Sequence, residues 1–186
     1  MDRREAVQYI SILLGGTLVG GSVFVSGCKS PARDITTFSE SDIAWLDEVA
    51  ETILPATKTP GAKAAKVGEF MTVMVNDCYT EKDQKIFHEG MNKLDEFAEK
   101  TFDNVFIELD PKQRHELLVK LDQEQKEYMK TKKAEDPSHY FRMIKELTLL
   151  GYFTSETGSK DGRRYVERPG RFDACIPYKK GDKAFA

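Results

Sequence analysis

The sequence predicts an all-α domain, a small helical bundle of about five helices followed by an irregular segment rich in aromatic residues, glycine and proline. Three observations lead to this reading. Between Thr36 and Leu150 the apolar residues recur at i, i+3 and i+4, the spacing of one helical face. Helix start signals recur along the same stretch, at Ser39, Thr80, Asp110 and Asp136. No run of alternating apolar and polar residues is long enough to make a useful strand, and no internal repeat is evident.

Taken in order, Ser39 followed by Asp42 forms a weakened capping box before Ile43, Leu46, Val49, Ala50 and Ile53, with Trp45 at the edge of that stripe. Pro55 disfavours helix at the residue before it, so this helix stops near Leu54. Thr57 to Gly61 reads as a turn or loop. A second helix is predicted from about Ala62 to Tyr79, burying Val67, Phe70, Met71, Met74, Val75 and Cys78. On that face Cys78 reads as a small core hydrophobe. Thr80 with Asp83 caps a third helix that carries Phe87, Met91, Leu94, Phe97 and Ala98.

Asp110-Pro111-Lys112-Gln113 combines an N-cap, a first-turn proline and a Gln that can reach back to the cap. Leu117, Leu118 and Leu121 follow, and the polar run Asp122 to Lys133 reads as a solvated extension or a loop. Asp136-Pro137 repeats the start signal before Tyr140, Phe141, Ile144, Leu147 and Thr148, and Gly151 suits a left-handed C-cap.

From Lys145 to Tyr178 the helical period gives way to glycine, proline, basic and aromatic residues. Segments of this length without periodicity are usually disordered or functional. Tyr152, Phe153, Tyr165, Phe172 and Tyr178 argue against simple disorder. The helices therefore read as a platform and residues 151–178 as a docking arm. Replacing Tyr152 and Phe153 with Ala is then expected to weaken assembly far more than the fold. The local basic cluster Lys160, Arg163, Arg164, Arg168 and Arg171 reads as a solvated loop or as a surface for an anionic partner.

The length suits one domain with a real core. A formal net charge of −3 and a pI near 5.7 give no general electrostatic reason to bind nucleic acid. Cys28, Cys78 and Cys175 form no CxxC, and the separated His88, His115 and His139 read as surface helix residues rather than ligands, so zinc spacing is absent. The nucleophile-elbow, phosphate-loop and dinucleotide signatures are missing. Asp47 and Glu51 stand one helical turn apart and read as a wet face supporting solubility rather than an acid–base pair. No catalytic or metal-ligating residue is assigned.

Residues 1–27 read as a cleaved export signal. Arg3-Arg4 precedes an apolar run from Val7 to Val25, the twin-arginine arrangement of proteins exported already folded, although Ala6, Val7 and Gln8 depart from the commoner motif. General secretion and an uncleaved membrane anchor are the competing readings. Val25-Ser26-Gly27-Cys28 resembles a bacterial lipobox, making Cys28 the lipidation site and residues 28–38 a lipidated tether. The expected location is the membrane surface facing the periplasm, an oxidising compartment. There Cys175 could cross-link to a partner, pair with Cys78 or remain a buried free thiol.

The run Glu51-Thr-Ile-Leu-Pro-Ala-Thr-Lys-Thr-Pro-Gly-Ala-Lys-Ala-Ala-Lys-Val-Gly-Glu-Phe70, with Asn76 to Tyr79, Phe141, Leu147, Gly151 to Glu156, Arg168 to Gly170 and Ala174 to Pro177, resembles the gluconate 2-dehydrogenase subunit 3 family. The resemblance spans about Ser39 to Tyr178, within the domain 39–186. It implies the small, non-catalytic subunit of a membrane-associated dehydrogenase of sugars or sugar acids. The large partner would be a glucose–methanol–choline-type flavoprotein carrying FAD, often accompanied by a c-type cytochrome, and this chain would hold no cofactor. The small subunit would support maturation of the flavoprotein and its folded export. Cys28 would give the membrane attachment that a cytochrome gives elsewhere. Gly151, Tyr152, Phe153, Pro169, Gly170 and Pro177 are the docking residues in this reading. The alternative is a free-standing carbohydrate-binding lipoprotein that stacks sugars on Trp45, Tyr152 or Tyr165.

Overall fold

The computed structural model describes residues 37–168, 170–171 and 174–186. Arg3, Arg4, Cys28 and Pro169 lie outside the described residues, and with them the export signal, the lipidation site and one docking residue. Among the described residues five α-helices form the domain: α1 Glu40–Ile53, α2 Val67–Cys78, α3 Glu81–Phe102, α4 Pro111–Thr131 and α5 Tyr140–Thr154. Short 3₁₀ turns at Lys63–Ala65 and Phe106–Glu108 and a π-turn at Gly158–Gly162 complete it. The all-α expectation and the helix count both hold.

Three helices start where side-chain chemistry dictates. Ser39 and Asp42 form the reciprocal box on α1, with the Ser39 N–H donating to Asp42 Oδ2 at 2.9 Å. Thr80 caps α3. Asp110 Oδ1 accepts from the N–H groups of Lys112 and Gln113, both at 2.8 Å, while Gln113 Oε1 accepts from the Asp110 N–H. Each such cap contributes about 1 kcal/mol. The polar run after Leu121 is helical to Thr131.

The start of α5 differs from expectation. Asp136 accepts from the Lys133 N–H, closing a turn of its own, and the Tyr128 hydroxyl donates to the Pro137 carbonyl. The helix begins three residues later, with His139 as its N-cap. The second predicted helix is also divided. Lys66 adopts a left-handed conformation (φ 52°), which separates the 3₁₀ turn from α2. Restarting there turns the buried face of α2 to Val67, Gly68, Met71, Thr72 and Val75. Phe70 and Met74 then flank the core, and Cys78, in the last turn, is exposed rather than buried.

Helix α5 packs against all four other helices and is the centre of the bundle. Its Tyr140, Phe141, Met143, Ile144, Leu147, Thr148, Gly151 and Tyr152 are buried. Around it lie Leu46, Met71, Phe87, Met91, Leu94, Phe106, Leu117 and Leu121, each worth about 1.5–3 kcal/mol when fully removed from water. Trp45 is no edge residue. It is 1 % exposed, and its indole N–H donates to Asp95 Oδ1 at 3.0 Å, the carboxylate oxygen that also accepts from the Phe106 N–H. His88 is likewise buried, stacked on Phe38 with ring centroids 4.2 Å apart, so only the exposed His115 answers fully to a surface histidine.

Candidate functional site

The end of the bundle where α5 terminates is built from three pieces: the loop after α1, the last turn of α5 and the chain that returns from it. Glu51 organises the first. Its Oε1 accepts from the Ala56 N–H at 2.8 Å and its Oε2 from the Lys63 N–H at 2.9 Å, so one carboxylate holds both ends of the loop. The Ala62 N–H closes the loop on the Leu54 carbonyl at 3.0 Å. Asp47, one turn earlier, accepts from the Gly68 N–H at 2.8 Å. Burial raises the Asp47 pKa despite that bond. Both carboxylates are bound to backbone amides, which corrects their reading as a solubility pair.

The second piece locks onto the first. The Tyr152 hydroxyl donates to the Pro60 carbonyl at 2.7 Å, joining the end of α5 to the loop across 92 residues of sequence. Gly151 is no left-handed C-cap. The helix continues through it to Thr154, and a Cβ there would stand 2.6 Å from Phe70 Cδ1, so the absent side chain is what lets α2 and α5 approach. Gly151 and Tyr152 therefore build the core and hold the site from behind.

The third piece turns back immediately. Ser155 Oγ donates to the Tyr152 carbonyl at 2.7 Å and accepts from the Gly158 N–H at 3.0 Å. A Cβ on Gly158 would lie 1.8 Å from the Tyr152 carbonyl oxygen, a contact no side chain can take. Arg163 then folds over Phe153, its guanidinium carbon 5.4 Å from the ring centroid, and donates to the Phe153 carbonyl. Beyond it the Arg164 N–H donates to the Ala184 carbonyl at 2.7 Å and the Ala186 N–H to the Arg164 carbonyl at 3.0 Å. The C-terminal residues are thereby fastened beside Arg164, whose guanidinium lies 5.1 Å from the Phe185 ring centroid.

Apolar and aromatic side chains of the last turns of α5 and of the residues after it are exposed. Phe153 is 36 % exposed, Leu149, Leu150, Tyr165, Val166, Ile176 and Phe185 are exposed, and Tyr178 reaches 75 %. Gly170 and Pro177 are exposed with the arm, and no atom lies within 4 Å of where a Gly170 Cβ would be. Cys78 and Cys175 are both free and exposed, so the intramolecular pair is not formed, and neither thiol is buried. The expected docking set thus divides: Phe153, Gly170 and Pro177 are presented outward, while Gly151 and Tyr152 are inside. Trp45 and Tyr152, two of the three rings named as sugar-stacking surfaces, are buried. The sequence did not disclose the loop-gripping role of Glu51, the Pro60 carbonyl as an acceptor, the tight turn at Gly158 or the folding of Arg163 over Phe153; the available signal was a Glu standing four residues before a helix-ending proline.

Displaced ionisation elsewhere has structural causes. Burial works against Asp122, yet hydrogen bonds from Lys126, Lys145 and Gln125 hold it down to about 2. Glu48 is lowered by the hydrogen bond from Lys63 and then by Arg114, which also donates to the Ile107 carbonyl. Among the described residues no group of three His, Cys, Asp or Glu could hold a metal, and no helix is long and apolar enough to cross a membrane.

The family model for gluconate 2-dehydrogenase subunit 3 matches residues 40–170, the whole helical body and the first part of the arm. No curated protein and no solved structure matches the chain. The chain belongs to the gluconate 2-dehydrogenase subunit 3 family.

Proposed function

We propose that this family member is the non-catalytic small subunit of a membrane-associated, FAD-dependent dehydrogenase of sugars or sugar acids. The family name makes it an oxidoreductase subunit that associates with other dehydrogenase subunits. In the finer reading the partner is a glucose–methanol–choline-type flavoprotein that holds FAD and the substrate. This chain supports its maturation, accompanies it through folded export by way of Arg3-Arg4, and attaches it to the periplasmic face of a membrane through lipid on Cys28. A c-type cytochrome can complete the electron path.

The observation that carries this reading is the division of the family-matched region. Four of its carboxylates, Asp47, Glu48, Glu51 and Asp122, are engaged with backbone amides or with cations that join one element to another. Phe153 at the end of α5 and Tyr165 and Val166 in the arm after it are left exposed, and exposed apolar side chains of this kind are available for a protein contact.

The test is affinity capture of the tagged full-length chain from detergent-solubilised membranes, followed by acid release and fluorimetry of flavin. A stoichiometric FAD-bearing subunit that oxidises a sugar or sugar acid is expected. A chain recovered from membranes without flavin would overturn the proposal.

A further inference from the structure

Charge is distributed unevenly along this chain. Residues 37–157 carry sixteen Lys and Arg against twenty-four Asp and Glu, whereas residues 158–186 carry eight against four. Four of these eight cations meet at one place. An open cleft of about 530 Å³ lies between the π-turn and the C-terminal tail, lined by Lys160, Arg163, Arg164, Tyr165, Gly181, Asp182 and Lys183. Four cations face one carboxylate there.

The way these cations are held matters more than their number. Lys160 is paired with Glu156, the one carboxylate partner of the four among the described residues. Arg163 and Lys183 donate instead to carbonyl oxygens, those of Phe153 and Asp161, and Arg164 lies over the Phe185 ring. Neutral acceptors and a ring fix a cation in place without cancelling its charge. Asp182, the acid of the cleft, is turned to the Lys179 N–H at 2.8 Å. Arg163 Nε is buried and has no hydrogen-bond partner among the described residues. The cleft is thus lined by cations held mainly by neutral groups, with their charge left to act on what enters it.

We infer that this cleft receives carboxylate side chains from an acidic stretch on the flavoprotein surface, so that charge pairing at the arm sets the register of the complex. The inference rests on the proposed function and deepens it: apolar contact at Phe153, Tyr165 and Val166 supplies area, and the cleft supplies selectivity. Guanidinium groups suit this task because their fork matches a carboxylate bidentately. The helical body carries an acidic excess of its own, so an acidic partner is repelled by the body and admitted only at the arm.

Two measurements on the captured complex test this. Zero-length carbodiimide coupling, which joins only amines and carboxylates in contact, is expected to link Lys160 or Lys183 to an Asp or Glu of the flavin-bearing subunit. The double variant Arg164→Glu/Lys183→Glu is expected to retain about tenfold less flavoprotein at 50 mM salt, and the milder Arg164→Gln to lose part of it. Lys93→Glu, an exposed change on the body, should retain the wild-type amount. If the charge variants retain flavoprotein fully and no coupling reaches the cleft, the inference fails while the proposed function stands. If instead the double variant keeps its flavoprotein but no longer floats with phosphatidylglycerol vesicles, the cleft faces lipid headgroups and the inference is likewise overturned. If the wild-type chain retains no flavin at all, both fail together.

Discussion

Helix α5 and the arm that follows it are adjacent in the chain and similar in their wealth of aromatic residues, yet they meet opposite fates. Tyr140, Phe141 and Tyr152 are buried, whereas Tyr165, Tyr178 and Phe185 are exposed. The difference is period. In α5 the apolar residues recur with the helix and are met by all four neighbouring helices. In the arm glycine, proline and charge break the period, so no common face forms and the rings remain outside. An aromatic side chain supplies stability only where its backbone gives it neighbours; elsewhere it supplies surface.

This contrast can be broken at graded cost. The largest effect should come from Ile144→Ala, which leaves a cavity at the centre of the bundle and should lower stability by about 2–5 kcal/mol in chemical denaturation. Gly151→Ala is next: its methyl must push the Phe70 ring aside, at about 1–3 kcal/mol. Tyr152→Phe keeps the packing and removes only the bond to the Pro60 carbonyl, so a loss of about 0.5–1.5 kcal/mol is expected. A loss as large as that of Ile144→Ala would mean that the loop contact, rather than packing, holds the end of α5.

His139 supplies a subtler probe. Its Nδ1 accepts from the Phe141 N–H at 3.2 Å, which requires the unprotonated nitrogen. Burial lowers its pKa below 6.5, although Glu124 at 3.7 Å pulls the other way and Lys93 adds to the lowering. Because the folded value is depressed, this stabilisation is complete above pH 6.5 and is lost as the pH falls from there through the folded value. Melting temperatures at pH 7.5 and 5.5 should therefore differ less for His139→Asn, which caps without titrating, than for the wild type. An unchanged difference would show that the cap tolerates the proton. The smallest effect should come from removing residues 165–186, which should change body stability by no more than about 0.5 kcal/mol.

Much of this was legible in the sequence because caps and periodicity are local. Ser39 with Asp42, Thr80 with Asp83, and Asp110 with Gln113 each identify a helix start from a few residues. What was not legible depends on long-range partners. Lys66 in a left-handed turn rotates α2 and carries Cys78 outward, and nothing in that lysine announces it. Gly151 looked like a terminus because its true reason is Phe70, on another helix. His88 and Trp45 were misplaced because polar ring atoms are accepted in a core once partners such as Asp95 are present. At the candidate site the exposed aromatics were foreseeable from composition. The carboxylate of Glu51 gripping the loop was not, since an acidic residue on a helix usually faces water.

The central claim, a stable body that presents an arm to a flavoprotein, is tested most directly by capturing two tagged forms from membranes, the full chain and one ending at Arg164, and measuring flavin and melting temperature for each. Near-equal melting temperatures are expected, with flavin retained by the full chain and lost by the shortened one. Flavin retained equally by both forms would contradict it.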